Sequence, residues 1–374
     1  MRWVFWSAAL LIAYTYVGYA GWLWLRALLS PWPVVRSPHE PYVSIVMIVR
    51  NEEQRLASKM QNLLELDYPP SRCQIVIVSD GSTDGTESVL HQYEGDPRVQ
   101  VLLKQLSRGK AAGLNDAISL AAGEIVVLTD ARQKIEHRAI RFLVENFADP
   151  EVGCVSGALM LGDPESGEAG KGMGLYWRIE KTIRELESES GSVVGATGAL
   201  YAVRRELLSD LAEGTILDDV YIPMLVARQG KRVVFDDRAR AWDSPDLGGG
   251  PEFARKVRTL SGNYQLMQLA PWILTGRNPL LARFVSHKLL RLAVPFALAA
   301  MLFASLWLKA PLYRVALVLQ LAFYGLGLVA LARLLKRGPI ARAGDAAATF
   351  VVLNTAAVVA FANFMTGRKA AWTR

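Results

Sequence analysis

At 374 residues, 52% of them hydrophobic and 21% charged, with a mean hydropathy of +0.20, the chain is too apolar for an ordinary soluble enzyme and too charged to lie wholly in a bilayer. The net charge of +7 does not argue for nucleic acid, because many of the basic residues flank uncharged runs, where anionic lipid headgroups attract them. Two cysteines, Cys73 and Cys154, exclude a disulfide framework and a cysteine-built metal site, and their apolar, strand-like neighbours mark them as buried, inert thiols.

In chain order, Trp3 to Leu25 carries no charge and is bracketed by Arg2 and Arg26. A bilayer core takes about 20 helical residues, so this run predicts a membrane helix within a segment 1–30. A cleaved signal peptide fits less well, since its apolar part runs only about 7–15 residues and no small-x-small site follows Arg26. From Val43 to about Phe235, short runs rich in β-branched residues alternate with amphipathic stretches, the pattern of βαβ units around a mostly parallel sheet. Strands are expected at Val43–Val49, Gln74–Ser79, Val99–Leu103, Ile125–Thr129 and Val152–Leu161. Helices are expected at Glu52–Glu65, Thr83–Tyr93, Lys110–Ala121 and Arg138–Phe147. Phe253–Arg291, with Trp272, Phe284, His287, Lys288 and Arg291 among apolar residues, reads as amphipathic helices lying on the bilayer, with His287 interfacial and not catalytic. Leu292–Leu308, Val315–Ala332 and Ala346–Gly367 then predict about three further membrane helices.

These runs divide the chain into a membrane helix (1–30), a soluble domain (40–245), an interfacial belt (246–291) and a membrane bundle (292–367). Arg333, Lys336, Arg337 and Arg342 form the densest basic loop and are expected on the cytoplasmic side, which places the soluble domain there too and the N-terminus outside. Arg368, Lys369 and Arg374 leave the direction of the last helix open.

In an open α/β sheet, ligands bind beyond the carboxyl ends of the strands. There the chain sets Arg50-Asn51-Glu52-Glu53 after the first strand, Asp80-Gly81-Ser82-Thr83-Asp84-Gly85 after the second and Asp130-Ala131-Arg132 after the fourth. Ser82 and Thr83 read first as helix caps, whereas Asp80 and Asp130 end apolar runs, where a carboxylate needs a partner.

Four segments in order, Val49-Arg50-Asn51-Glu52-Glu53, Asp80 to Thr86, Arg108-Gly109-Lys110 to Asn115 and Thr129-Asp130-Ala131-Arg132, resemble the nucleotide-binding half of family 2 glycosyltransferases. Gly195-Ala196-Thr197-Gly198-Ala199, Leu217-Asp218-Asp219 and Arg255-Lys256-Val257-Arg258-Thr259 extend the resemblance toward the membrane-embedded branch of cellulose, hyaluronan and poly-N-acetylglucosamine synthases, as does Ser286-His287-Lys288 with Arg291 and Pro295.

The resemblance implies a GT-A type catalytic domain, Rossmann-like with a mostly parallel sheet, plus helical transmembrane segments. It implies an enzyme that moves a sugar with inversion from a nucleotide-sugar, a UDP-sugar by expectation, to a growing polysaccharide or lipid-linked glycan at the inner face of a bacterial-type plasma membrane. Asp219 then matches the catalytic base, with Asp218 beside it. Donor contacts are implied for Asn51, Glu52, Asp80, Lys110, Asp130, Arg132 and Arg258, and an acceptor side for Thr197, Gly198, Arg255 and Thr259. Membrane lipids are expected partners, with room for further subunits or an oligomer.

Two departures matter. The family's D-x-D motif places a second Asp where this chain has Arg132, which cannot ligate a cation. Three readings follow: Arg132 itself neutralises the diphosphate, Mg²⁺ or Mn²⁺ is held by Asp130 with diphosphate and water, or Arg132 only pairs with a nearby carboxylate. In the Q-x-x-R-W motif the chain reads Arg255-x-x-Arg258-Thr259, so the aromatic acceptor platform of the polymerising relatives is missing and processivity is open. Transfer of a single sugar to a lipid carrier, a sugar-nucleotide nucleotidyltransferase and a non-catalytic membrane scaffold are the rival readings.

Overall fold

The computed structural model describes residues 1–162, 175–243, 249–334 and 338–368. Of the basic groups used for topology, Lys336, Arg337, Lys369 and Arg374 lie outside the described residues.

Eight strands form one mixed sheet: β1 (Val43–Val49), β2 (Cys73–Asp80), β3 (Val99–Lys104), β4 (Ile125–Thr129), β5 (Lys134–Ile135), β6 (Val152–Leu161), β7 (Leu200–Arg204) and β8 (Arg232–Asp243), in the order β3-β2-β1-β4-β7-β6-β8-β5. The first four are parallel, β7 runs antiparallel to both its neighbours, and β6 and β8 are parallel. The expected β1, β4 and β6 have their predicted bounds, and β2 and β3 run slightly longer. The period of two explains why β1 is apolar apart from Ser44: Val43, Ile45, Met47 and Val49 pack with Leu56, Met60 and Leu63 on one face, Val46 and Ile48 with Ala111 and Leu114 on the other. Both faces are covered, so no polar alternation survives.

Three helices come close to expectation: Glu53–Leu64, Lys110–Leu120 and Ala139–Glu145. The helix expected from Thr83 begins only at Thr86, with Asp84 Oδ1 accepting the Thr86 N–H (3.0 Å). Ser82 and Thr83 therefore do not cap it. They bind Asn51, which stands in the left-handed region (φ 54°): its N–H donates to Ser82 Oγ (3.2 Å) and its Oδ1 accepts the Thr83 N–H (2.8 Å).

Among the described residues, four helices are long and apolar enough to cross a membrane: Arg2–Leu29, Leu281–Trp307, Pro311–Leu331 and Pro339–Met365. Leu281–Trp307 is continuous, with a five-residue π-turn at Val285–Leu289, so the limit expected between 291 and 292 falls inside a helix. His287, expected at a wet interface, is 1% exposed between the carboxylates of Glu187 (Nδ1 to Oε1, 2.9 Å) and Glu180 (Nε2 to Oε1, 3.1 Å) on the helix Leu175–Glu189. The helix Gly249–Leu269 packs on the last apolar helix through Tyr264, stacked on Phe364 with ring centroids 4.9 Å apart.

Candidate active site

The expected polar groups converge where the parallel strands end. Asp80, the last residue of β2, is buried and accepts three hydrogen bonds from the following loop: Ser107 Oγ at 2.7 Å, Arg108 N at 2.8 Å and Gly109 N at 2.9 Å. Those bonds fix the loop that starts the helix Lys110–Leu120, so Asp80 sets the position of Lys110. Gly81 (φ 63°) lies so close to the loop that a Cβ there would sit 2.5 Å from Ser107 N, which is why the turn takes glycine. Glu52 donates its N–H to Thr86 Oγ1 (2.9 Å), joining the first and second loops.

Lys110 is the hub. Its ammonium lies 2.9 Å from Asp130 Oδ1 and 3.3 Å from Asp218 Oδ1. Burial alone would lower its pKa, but the charges of Asp130 and Asp218 outweigh that and raise it. Asp218, with a side chain 5% exposed, also accepts the Tyr201 hydroxyl at 3.3 Å. Of the two neighbouring acids, Asp218 is thus consumed by structural partners, whereas Asp219 opens the helix Asp218–Arg228 half-buried. Burial first, then the Asp218 charge, push the Asp219 carboxyl up to about 6, while Lys110, Lys288 and Arg184 pull it back. A carboxyl with that pKa is ionised at neutral pH yet basic enough to take a proton.

Gly198 joins these groups. A Cβ at that position would stand 3.4 Å from Asp219 Oδ2 and 3.7 Å from Asp130 Oδ2, so both carboxylates face one glycine that leaves the space between them open. Thr197 is buried with its N–H on Ser156 Oγ (3.1 Å), so it shapes the wall and offers little surface to a ligand.

Arg132 turns away from Asp130: its guanidinium meets Asp243 Oδ2 at 2.5 Å. Of the three readings of Arg132, the carboxylate pair is the one formed. Arg258 and Thr259 lie on the helix Gly249–Leu269. Gly262 of that helix abuts Leu217, and Gln265 accepts the Ile216 N–H (2.9 Å), so this face backs the segment leading into Asp218. Arg258 and Arg255 stand one and two turns before Gly262 on the same face. Arg258 has no hydrogen bond or ion pair among the described residues.

Two participants escaped the sequence reading. One is Tyr201, on β7. The other is Lys59, on the helix Glu53–Leu64, whose ammonium is buried, donating to Thr129 Oγ1 (3.2 Å) and Gln133 O (2.7 Å) on either side of Asp130-Ala131-Arg132. Burial pushes its pKa down to about 7, with Asp130 opposing. The available signal was its spacing: Leu56, Lys59, Met60 and Leu63 follow the i, i+3, i+4, i+7 pattern of the buried face.

Among the described residues no three His, Cys, Asp or Glu side chains are grouped to hold a metal ion. Asp130, 41% exposed at its side chain, has Oδ1 on Lys110 and offers Oδ2. That set is lean, and fits a divalent cation that takes its other ligands from substrate phosphates and water.

The sequence model described as Glycosyl transferase family 2 matches residues 44–212, from β1 into the loop between β7 and Asp218. Over that segment the chain resembles the family 2 glycosyltransferases. Relatives include the poly-β-1,6-N-acetyl-D-glucosamine synthase of Staphylococcus epidermidis, 24% identical over 247 residues, 64% of this chain and 59% of the relative. The β-monoglucosyldiacylglycerol synthase of Nostoc sp. is 27% identical over 186 residues, 48% of this chain and 40% of the relative. The match thus spans about three-fifths or less of the length of these curated relatives. Among solved structures, mannosyltransferase PcManGT from Pyrobaculum calidifontis, in complex with GDP-Man and Mn²⁺, superposes with a TM-score of 0.75 at 25% identity, covering 96% of this chain and 98% of the neighbour. The expected GT-A architecture, a mostly parallel sheet joined to apolar helices, is the one found.

Proposed function

We propose that the chain transfers a sugar, with inversion, from a nucleoside-diphosphate sugar to a hydroxyl of a growing polysaccharide or lipid-linked glycan at a membrane surface. The observation that carries this reading is the set Lys110, Asp130, Asp219 and Gly198: two part-exposed carboxylates facing one glycine, beside a part-buried cation. Asp219 accepts the proton of the acceptor hydroxyl as its oxygen attacks the anomeric carbon. The bond from that carbon to the diphosphate breaks, and the diphosphate leaves with the electron pair. Lys110 and Arg258 are the cations for the leaving group, which any such transfer must stabilise. Asp80 and Asn51 act on the donor side by holding the loops that frame it.

Asp130 Oδ2 is the oxygen that would hold Mg²⁺ or Mn²⁺, whose charge would offset that of the diphosphate. PcManGT, by its description, holds Mn²⁺ together with GDP-Man. We expect EDTA to abolish nucleoside diphosphate release and added Mn²⁺ or Mg²⁺ to restore it; undiminished release in EDTA would remove the cation from the scheme. A UDP-sugar remains the expected donor, and a screen of UDP- and GDP-sugars on the purified full chain, following diphosphate release, tests it.

Because Asp219 must be ionised to act, protonation silences it. The expected kcat/KM profile therefore rises with pH through a midpoint near 6. A flat profile between pH 5 and 7.5 would exclude a base of this kind.

A second reading is transfer of one sugar to a lipid carrier. It is favoured by Thr259 at the position of the aromatic acceptor platform. Product analysis separates the two, since a single-sugar adduct excludes processive growth.

A further inference from the structure

A strap without regular secondary structure, Ser190–Gly198, joins the helix Leu175–Glu189 to β7 and forms the back wall of the site. At its far end, Ala196 donates its N–H to the Asp219 carbonyl (2.7 Å), a Cβ on Gly195 would stand 3.3 Å from that oxygen, and Gly198 lies against the Asp219 carboxylate. The main chain of Asp219 is thus bonded to the strap, and its carboxylate packs against the strap's last residue.

The near end of the strap is held by a membrane-length helix. Arg283, two residues into Leu281–Trp307 and almost fully buried, spreads its guanidinium over the turn. Nη1 donates to Glu187 O (2.5 Å) and Ser192 O (2.8 Å), and Nη2 to Ser190 O (2.7 Å) and Ser190 Oγ (2.9 Å). Gly191 (φ 147°) makes room for it, since a Cβ there would stand 2.9 Å from Nη2. Glu187 adds a second tie. Its fully buried carboxylate receives the Tyr19 hydroxyl (2.5 Å) from the N-terminal apolar helix, His287 Nδ1 (2.9 Å) from the later one, and the Val194 N–H of the strap (3.3 Å). Carboxylate oxygens face both nitrogens of His287. On β8, Arg232 contributes a lesser hold through Gly191 O (3.2 Å).

We infer that Arg283 and Glu187 are positioning residues for the base: they fix the strap against which Asp219 is bonded and packed, so that two apolar helices, through one arginine and one carboxylate, set where the proton acceptor stands. None of these groups touches the space between Asp219 and Asp130, so their effect passes through the strap. This inference rests on the reading of Asp219 as base. Its physical logic is that guanidinium bonds to four acceptors fix a plane and not only a distance, and a displacement of about 1 Å in a reacting group can cost on the order of a hundredfold in rate.

The test uses the full chain in nanodiscs with Arg283→Gln and Gly191→Ala, the second leaving Arg283 in place but pushing its guanidinium off the turn. Two measurements are paired: steady-state kinetics for donor turnover, and hydrogen exchange of the 190–198 amides. We expect kcat to fall ten- to a hundredfold with donor KM within about twofold, and the Ala196 and Val194 amides to lose protection while the strands keep theirs. Unchanged protection of 190–198 in both variants would overturn the inference, whatever the turnover. So would faster exchange with unchanged kcat, or a parallel loss of donor affinity and of strand protection, which marks a purely structural anchor. Absence of turnover in the unmutated chain would instead overturn the proposed function, and the exchange measurement would still decide whether Arg283 holds the strap.

Discussion

Asp219→Asn is expected to lower kcat by about 10²–10⁴-fold while leaving donor affinity within a few-fold, because the substitution keeps shape and removes only the proton acceptor. The contrast with Asp218 makes this discriminating. Asp218 is held by Lys110 and the Tyr201 hydroxyl at 5% side-chain exposure, so Asp218→Asn disturbs the Lys110 hub and should weaken donor binding and stability together. If Asp219→Asn turned over at more than a tenth of the normal rate, the base would have to be sought elsewhere. The rising limb near pH 6 should vanish with the same substitution, since the group that titrates there is gone.

Lys110→Met should have the second-largest effect, and through two routes. It removes a cation that offsets three carboxylates, Asp130 and Asp218 by direct contact and Asp219 by charge. Leaving Asp218 buried without its ion pair costs about 1–3 kcal/mol, less than for a fully dry pair because the Asp130 side of the cluster is open to water. The electrostatic route has a definite sign. Lys110 pulls the Asp219 pKa down, so its loss lets that pKa climb above about 6 and moves the rising limb of the pH profile to higher pH. A variant that folds, binds donor weakly and shows its limb at the original pH would mean that Lys110 serves the diphosphate alone. Lys110→Arg keeps the charge but not the point geometry, and should restore the limb more than the turnover.

Much of the domain was legible because its signals are local. β1, β4 and β6 are apolar β-branched runs ended by polar turns, and their ends place Asn51 and Asp130, while the end of β2 places Asp80. Asp218-Asp219 before an apolar helix reads as a site or a cap from neighbouring residues alone. β8 was not legible: Arg232, Asp236, Asp237, Arg238 and Arg240 break any alternation, and the strand exists because its partners, β6 on one side and β5 on the other, satisfy its backbone. Its charges are absorbed one by one, as in Asp236, which takes Arg238 at 2.7 Å and Asn146 at 2.8 Å.

Hydrophobic length and the spacing of polar residues after strands are properties of the chain itself. For that reason the sequence alone determined an α/β domain flanked by apolar helices of membrane length, the polar motifs at its strand ends and the acidic pair at the helix start. Whether a charge is spent on structure or left for chemistry depends on which partner the fold brings within about 3 Å. Only the tertiary structure decided that Arg132 belongs to Asp243 and not to Asp130, that Asp218 is consumed where Asp219 is not, that Lys59 is buried beneath the Asp130 turn, and that His287 joins two carboxylates across a helix junction in place of facing the bilayer surface.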